Sequence, residues 1–357
     1  MPSVFGDRIK VSVFGQSHSE AIGVVIDGLP AGISIDMDEL LAFMARRAPG
    51  QGRHTTSRRE ADRPEFVSGV VDGVTCGAPI CALIRNTDTR SGDYSNLRDV
   101  PRPGHSDYTA YLKFGAAHDI RGGGHFSGRL TASLCIAGGI ALQILASKGI
   151  SIGAHLASVG SVEDARYDPV RVCADDFVAL RANALPAIDP DAAQRMLDEI
   201  ERARMSADSV GGTIECAIVG MPSGLGDALF GGLEGRLALA LFGVPAVKGL
   251  EFGSGFAGTR THGSQNNDEF DMESGHVTCR TNNAGGILGG ISTGMPIVFR
   301  VAIKPTASIG QPQHSVSLSR GEPAELVIKG RHDPCIAPRA VPVVEAVAAL
   351  AILEYII

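Results

Sequence analysis

The sequence predicts a single domain in which helices and strands are interleaved, and three observations carry that prediction. Short β-branched runs alternate with longer segments whose apolar residues recur at helical spacing. No Ser-, Pro- or Gly-rich linker divides the 357 residues. With 44% hydrophobic and 20% charged residues, the chain has the balance of one that buries a core. The 45 glycines imply many tight turns and close backbone approaches.

In chain order, residues 1–15 carry Asp7, Arg8 and Lys10 where a signal peptide needs an unbroken apolar stretch, so no secretion signal is expected. Residues 10–14, 24–26 and 80–84 read as strands. Between them, residues 36–47 place Leu40, Leu41 and Met44 at helical spacing after an acidic start, and Ala48-Pro49-Gly50 stops the helix. Residues 127–148 predict a long apolar helix closed by Gly149. The charge-free stretch 130–147 nearly reaches the length of a membrane span. Thr131, Ser133, Gln143 and the Gly138-Gly139 pair interrupt it, which predicts a core helix instead. Asp189-Pro190 is an N-cap and first-turn pair for a helix carrying Ala193, Met196, Leu197 and Ile200. Strands follow at 214–219 and 297–303, with further helices near 227–242 and 339–356. An internal echo links Gly23-Val-Val-Ile-Asp-Gly-Leu-Pro-Ala-Gly32 with Glu215-Cys-Ala-Ile-Val-Gly-Met-Pro-Ser-Gly224, which suggests an ancient duplication.

Composition narrows the function. The seven cysteines form no CxxC pair and their number is odd, so neither a metal site nor a disulfide framework is expected, and a reducing cytoplasm fits. A net charge of −7 argues against nucleic acid as a partner. Within this acidic chain, Arg46, Arg47, Arg53, Arg58, Arg59 and Arg63 crowd one segment. They read either as a solvated loop balanced by Glu60 and Asp62 or as a pocket for a polyanionic small molecule. Arg121-Gly-Gly-Gly-His125-Phe-Ser127-Gly-Arg129 precedes the long helix, where free N–H groups favour an anion, yet it matches neither a dinucleotide fingerprint nor a Walker loop. Three histidines sit among small or charged residues, in Gly15-Gln-Ser-His18-Ser, Arg102-Pro-Gly-His105-Ser-Asp107 and Arg331-His332-Asp333-Pro334-Cys335. Each alone has an ordinary structural reading.

Taken together, these blocks resemble the chorismate synthase family. FGQSHSEAIGVVIDGLPAG, RRAPGQGRHTTSRREAD, RNTDTRSGDY, RPGHSDYTAYLKFG, DIRGGGHFSGR, DSVGGTIE, VPAVKGLEFGSGF, NNAGGILGGIS, KPTASI and GRHDPC match in order from about residue 8 to the C-terminus. The resemblance implies an α+β fold, a β-α-β sandwich assembled as a homotetramer. The implied reaction is an anti-1,4-elimination of phosphate from 5-enolpyruvylshikimate 3-phosphate to give chorismate. Reduced FMN would assist without net redox change, with no nucleic-acid or membrane partner. NADPH or an external flavin reductase would supply electrons, and the lack of a recognisable nucleotide-binding domain favours the external supply.

Residue by residue, the resemblance implies that His18, with Ser17 beside it, serves the leaving phosphate. It puts His105 at the reduced flavin ring and gives Asp333 the onward passage of the substrate proton. Arg47, Arg53 and Arg129 would bind the anionic substrate or NADPH. The flavin would rest on His125, Phe126 and Ser127, on Pro245 and Ala246, on Gly289, on Lys304, Pro305, Thr306, Ala307 and Ser308, and on Arg331. Gly289 and Ala246 have tight packing as an equal alternative, Asp333-Pro334 reads equally as a helix N-cap pair, and Ser127 joins the catalytic group. The chain departs from the family pattern at Gln16, Ser19, His125 and Ala307; His125 would replace a permanent cation with a titrating one. A flavin oxidoreductase and a noncatalytic phosphate-binding protein are the competing classes.

Overall fold

A computed structural model describes residues 3–50, 62–87, 96–328 and 332–357. Two antiparallel five-stranded sheets dominate it. The first contains β1 (Val4–Phe5), β2 (Lys10–Gly15), β3 (Ala21–Asp27), β4 (Glu65–Ser68) and β5 (Ile80–Arg85), ordered β1-β2-β3-β5-β4. The second contains β6 (Ser151–Val159), β7 (Val162–Glu163), β8 (Gly212–Val219), β9 (Val247–Phe252) and β10 (Ile297–Ile303), ordered β9-β10-β8-β6-β7. Helices of eight residues or more are α1 (Met37–Arg47), α2 (Asp107–Phe114), α3 (Thr131–Ala146), α4 (Ala174–Arg181), α5 (Pro190–Met205), α6 (Leu233–Leu241) and α7 (Ala337–Ile356).

Helix α3 packs on β2, β3 and β5, helix α7 packs on β6 and β8, and the two helices pack on each other. The result is a β-α-β sandwich of the α+β class. In β5, Ile80, Ala82 and Ile84 are buried at every second position and meet Ile22, Val24 and Ile26 of β3 in one core. Each such buried isoleucine or valine contributes about 1.5–3 kcal/mol. The uncharged stretch is a core helix, 78% buried over its most apolar window. Its glycine pair sets how closely the layers meet. A Cβ on Gly138 would stand 2.2 Å from the Cβ of Ala346 in α7, and one on Gly139 would stand 2.5 Å from Leu40 Cδ1 in α1.

The ten-residue echo marks a real repeat of topology. The path β2-β3-α1-β4-β5-α3 is followed again by β6-β8-α6-β9-β10-α7, and the sheet order β2-β3-β5-β4 matches β6-β8-β10-β9. The echoed residues run through the matching central strands β3 and β8, and each leaves its strand through a left-handed glycine, Gly28 at φ 92° and Gly220 at φ 78°.

Every expected strand and helix is present. Asp36 caps α1 by accepting from Asp38 N and Glu39 N, and Asp189 caps α5 by accepting from Asp191 N. The apolar helix is shorter than the sequence suggests, because Gly128–Leu130 forms a 3₁₀ turn before it. The helix cap at Asp333 is corrected: α7 begins at Ala337 behind Ile336, and Pro338 occupies its first turn. Arg46 is structural. It forms a two-pronged pair with fully buried Glu345, at 2.5 and 2.9 Å, and Glu345 also accepts from Ala154 N, joining α1, α7 and β6.

Candidate active site

A cavity of about 760 Å³ opens where both halves of the repeat converge. Its walls are the end of α1, the segment before α2, the glycine stretch leading to α3, the segment joining α6 to β9, the residues after β10, and the start of α7. It collects Arg47, His105, His125, Phe126, Ser127, Arg129, Pro245, Ala246, the Lys304–Ser308 stretch and Asp333. These are residues that the sequence scatters over nearly 300 positions, as Arg47 to Asp333 shows. Gly289 does not line it; it sits exposed in the turn of a short hairpin at φ 61° with nothing within 4 Å of a Cβ. Arg53 and Arg331 lie outside the described residues.

His18 and Ser17 sit just behind the cavity wall. Gly122, which lines the cavity, has φ 61°, and a Cβ there would stand 2.4 Å from Ser17 Oγ and 2.8 Å from His18 Nε2. On the next residue, Gly123 at φ 86°, a Cβ would stand 3.2 Å from His105 Nε2. Gly122, Gly123 and Gly124 are all left-handed, a backbone path in which a side chain costs about 1–2 kcal/mol per residue. Two of these bare residues, Gly122 and Gly123, thus let two histidine rings approach adjacent positions of one loop.

His105 does not stand alone. Its Nδ1 lies 2.7 Å from Asp107 Oδ1, and Arg102 donates to the same carboxylate from Nε at 2.7 Å and Nη2 at 2.8 Å. Arg102 Nη1 also donates to Ser308 Oγ at 3.0 Å. Burial pushes Asp107 up, but the hydrogen bonds and charge of Arg102 and His105 prevail and hold it well below the usual carboxylate range. Burial pulls His105 below its ordinary value; Asp107 opposes the shift while Arg102 and Lys304 add to it. The imidazole is neutral near pH 7.

Arg47 and Arg129 are buried, so Arg47 is no part of a solvated loop, whereas Arg63 is exposed. Both hold Asp62: Arg47 Nη1 donates at 2.7 Å and Arg129 Nη1 pairs with the other oxygen. Burial raises Asp62, and the two guanidinium charges outweigh it and lower its pKa overall. Arg47 is fixed further by Thr131 Oγ1 at 3.1 Å and Gly128 O at 3.0 Å. Two cations around one anion leave a net positive charge at the cavity wall. Arg339 adds no net charge, because it pairs with Asp333 Oδ2 at 2.5 Å; it also donates to Arg47 O at 3.0 Å.

His125 lines the cavity; its Nδ1 donates to Gly15 O at 2.7 Å and its Nε2 meets Ser3 Oγ at 2.7 Å, so both ring nitrogens are engaged within the chain. Ser127 Oγ accepts from Arg129 N at 3.2 Å and starts the turn into α3. Opposite, Lys304 donates to Gly104 O at 3.0 Å, and burial, helped by the charge of Lys248, lowers its pKa. Thr306 Oγ1 is buried and makes no hydrogen bond among the described residues.

Arg102, Asp62 and Arg339 are site residues that the sequence reading passed over. For Arg102 a signal existed, since Arg102 and Asp107 bracket His105 in one block. Asp62 stood in the arginine-rich segment but reads there as a surface counter-ion.

Buried arginines around a half-enclosed cavity, with histidines within reach, are the equipment of an enzyme for a small anionic substrate. Comparison with known proteins makes this specific. The family model for chorismate synthase matches residues 9–357. The chain is 46% identical over 365 residues to the chorismate synthase of Lancefieldella parvula, covering 99% of this chain and 96% of that one. It is likewise 46% identical over 352 residues to that of Thermococcus gammatolerans, covering 99% and 97%. A crystal structure of a chorismate synthase superposes with a TM-score of 0.75 at 26% identity, covering 98% of this chain and 91% of the other. The chain therefore belongs to the chorismate synthase family, enzymes of the shikimate pathway.

Proposed function

We propose that this cavity carries out the anti-1,4-elimination of phosphate from 5-enolpyruvylshikimate 3-phosphate to give chorismate, a carbon–oxygen lyase reaction assisted by reduced FMN. The observation that carries the proposal is the convergence of His18 and His105 on adjacent glycines, beside a wall that holds Arg47 and Arg129. Cavity size agrees, since ligand pockets span about 300–1,000 Å³.

The residues fit a flavin mononucleotide. Thr306 Oγ1 is an orphaned buried polar atom, Lys304 and Lys248 place two cations near it on the same lining, and Phe126, Pro245 and Ala246 offer apolar surface. Ser127, Pro305, Ala307 and Ser308 complete the cradle, with His125 contributing ring surface rather than charge. When bound in reduced form, the flavin supplies electron density to the allylic system as phosphate departs and recovers it afterwards. His18, with Ser17, donates to the departing phosphate; neutral His105 faces the flavin ring; Asp333, held by Arg339, receives the proton lost by the substrate. Arg47 and Arg129 bind the anionic groups, pre-set by Asp62.

The seven free cysteines support a reducing cytoplasm. Fully exposed Phe230, with Leu229 and Phe256 also at the surface, supports assembly as a homotetramer. Electrons reach the flavin from NADPH or from an external flavin reductase, and anaerobic turnover with and without NADPH separates these. The test of the function is anaerobic incubation with the substrate and prereduced FMN, following chorismate and phosphate together. Equal release of both is expected, and no release of either would overturn the proposal.

A further inference from the structure

The side chain of Asp107 is the first residue of α2, a place where an acid ordinarily serves the helix N-terminus. Here it turns elsewhere. It is 4% exposed and accepts from His105 Nδ1, from Arg102 Nε and Nη2, and from Arg102 N at 3.1 Å. Arg102, 5% exposed, extends the chain of contacts to Ser308 on the far wall.

These contacts decide which nitrogen of His105 carries the proton. A carboxylate only accepts, and so an unprotonated Nδ1 would set a lone pair against Asp107 Oδ1 at 2.7 Å. Arg102 Nη2 is also 3.1 Å from Nδ1, but donation there would leave the lone pair of Nδ1 facing the closer, acceptor-only Asp107 Oδ1. The proton therefore sits on Nδ1, and the opposite edge of the ring, with the Nε2 lone pair, faces the glycine stretch at the cavity. We propose that Asp107, clamped by Arg102, is the positioning residue that fixes His105 in its Nδ1–H tautomer and presents Nε2 to the reacting molecules. The assignment rests on the role given to His105 under the proposed function.

The charged and titratable groups around His105 are Asp107 from α2, Arg102 from the preceding segment, Lys304 from the segment after β10, and His18 across Gly122. Only Asp107 among them can accept from Nδ1. An asparagine in its place keeps the shape but presents either an oxygen or an NH₂ group, and the NH₂ favours the opposite tautomer.

The test uses the full-length enzyme with prereduced FMN and has three arms. In histidine-¹⁵N-labelled parent protein, with His105→Gln used to assign the signal, the His105 ring is expected as Nδ1–H. An Nε2–H ring in the parent overturns the proposal without any change at Asp107. Asp107→Asn is expected to lose roughly 10²-fold or more in kcat, the range of a positioned acid or base, with KM changed less than about threefold. Finally, adding Asp107→Asn to His105→Gln is expected to cause almost no further loss, because the two act as one unit. An equal loss in both backgrounds would mean that Asp107 only supports the fold, and the proposal fails. If the parent releases no phosphate, the proposed function fails, and the tautomer measurement still decides the assignment of Asp107.

Discussion

Replacing Asp333 separates a chemical role from a structural one, and the structure sets the size of each. Asp333 pairs with Arg339 at 2.5 Å, with side-chain exposures of 11% and 16%, and it does not cap α7. Asp333→Ala leaves a largely buried guanidinium without its carboxylate, which costs about 3 kcal/mol, the low end for breaking a buried pair. Loss of a helix cap would cost about 1 kcal/mol. At about 2.1 cal/mol/K per residue, the unfolding entropy of 357 residues is about 0.75 kcal/mol/K, so the melting temperature should fall by about 4 °C. Asp333→Asn keeps an oxygen for Arg339 and should fall by only about 1–2 °C, the share of one hydrogen bond near 1 kcal/mol. Its turnover with prereduced FMN should nevertheless drop by roughly 10²–10⁴-fold, because an amide cannot hold the substrate proton. Calorimetry and single-substrate kinetics on the three proteins give both numbers. An asparagine variant with parental turnover would refute the reasoning, as would an alanine variant that melts with the parent.

Three further outcomes follow from the geometry. Arg47→Lys keeps the charge but loses the fork that holds Asp62, Thr131 and Gly128, so KM for the substrate should rise about 10–100-fold, the worth of one charged hydrogen bond; an unchanged KM removes Arg47 from anion binding. Gly122→Ala should lose turnover by pressing on Ser17 and His18, whereas Gly115→Ala, also left-handed at φ 59° but with nothing within 4 Å, should show backbone strain alone; equal turnover in the two variants contradicts the packing argument. Buried His155 lies between Asp164 at 3.0 Å and Glu215 at 3.2 Å. Burial lowers its pKa, yet the two carboxylates raise it more, and the net shift is upward. A raised folded-state pKa contributes stability that is complete below the unfolded value of about 6.5 and lost as pH rises through the folded value. The parent's stability against denaturant should therefore fall as pH rises above about 6.5, a slope absent from His155→Gln; the same slope in both would exclude His155 as its source.

The sequence exposed elements whose chemistry is local. Asp36 and Asp189 announce α1 and α5 because an N-cap is a few-residue event. Strand β6 stayed hidden: Ser-Ile-Gly-Ala-His-Leu-Ala-Ser-Val is buried on both faces and has no alternation, and the carboxylates that meet its histidine lie 9 and 60 residues away. Helix α2 was equally silent, because its first residue spends its carboxylate on the site. The echo between β3 and β8 was readable over ten residues because the same turn follows both, while the rest of the repeat survives only as strand order. Site residues were found through the family's motifs. Those that act through others, Asp62 between two arginines and Arg339 against Asp333, required the fold.

The central claim is a phosphate elimination that borrows electron density and returns it. Anaerobic turnover from a fixed quantity of prereduced FMN, with phosphate and oxidised flavin counted in the same sample, tests this most directly. Many phosphates for each flavin oxidised are predicted; one phosphate for each flavin oxidised would contradict the account and assign the cavity to an oxidoreductase.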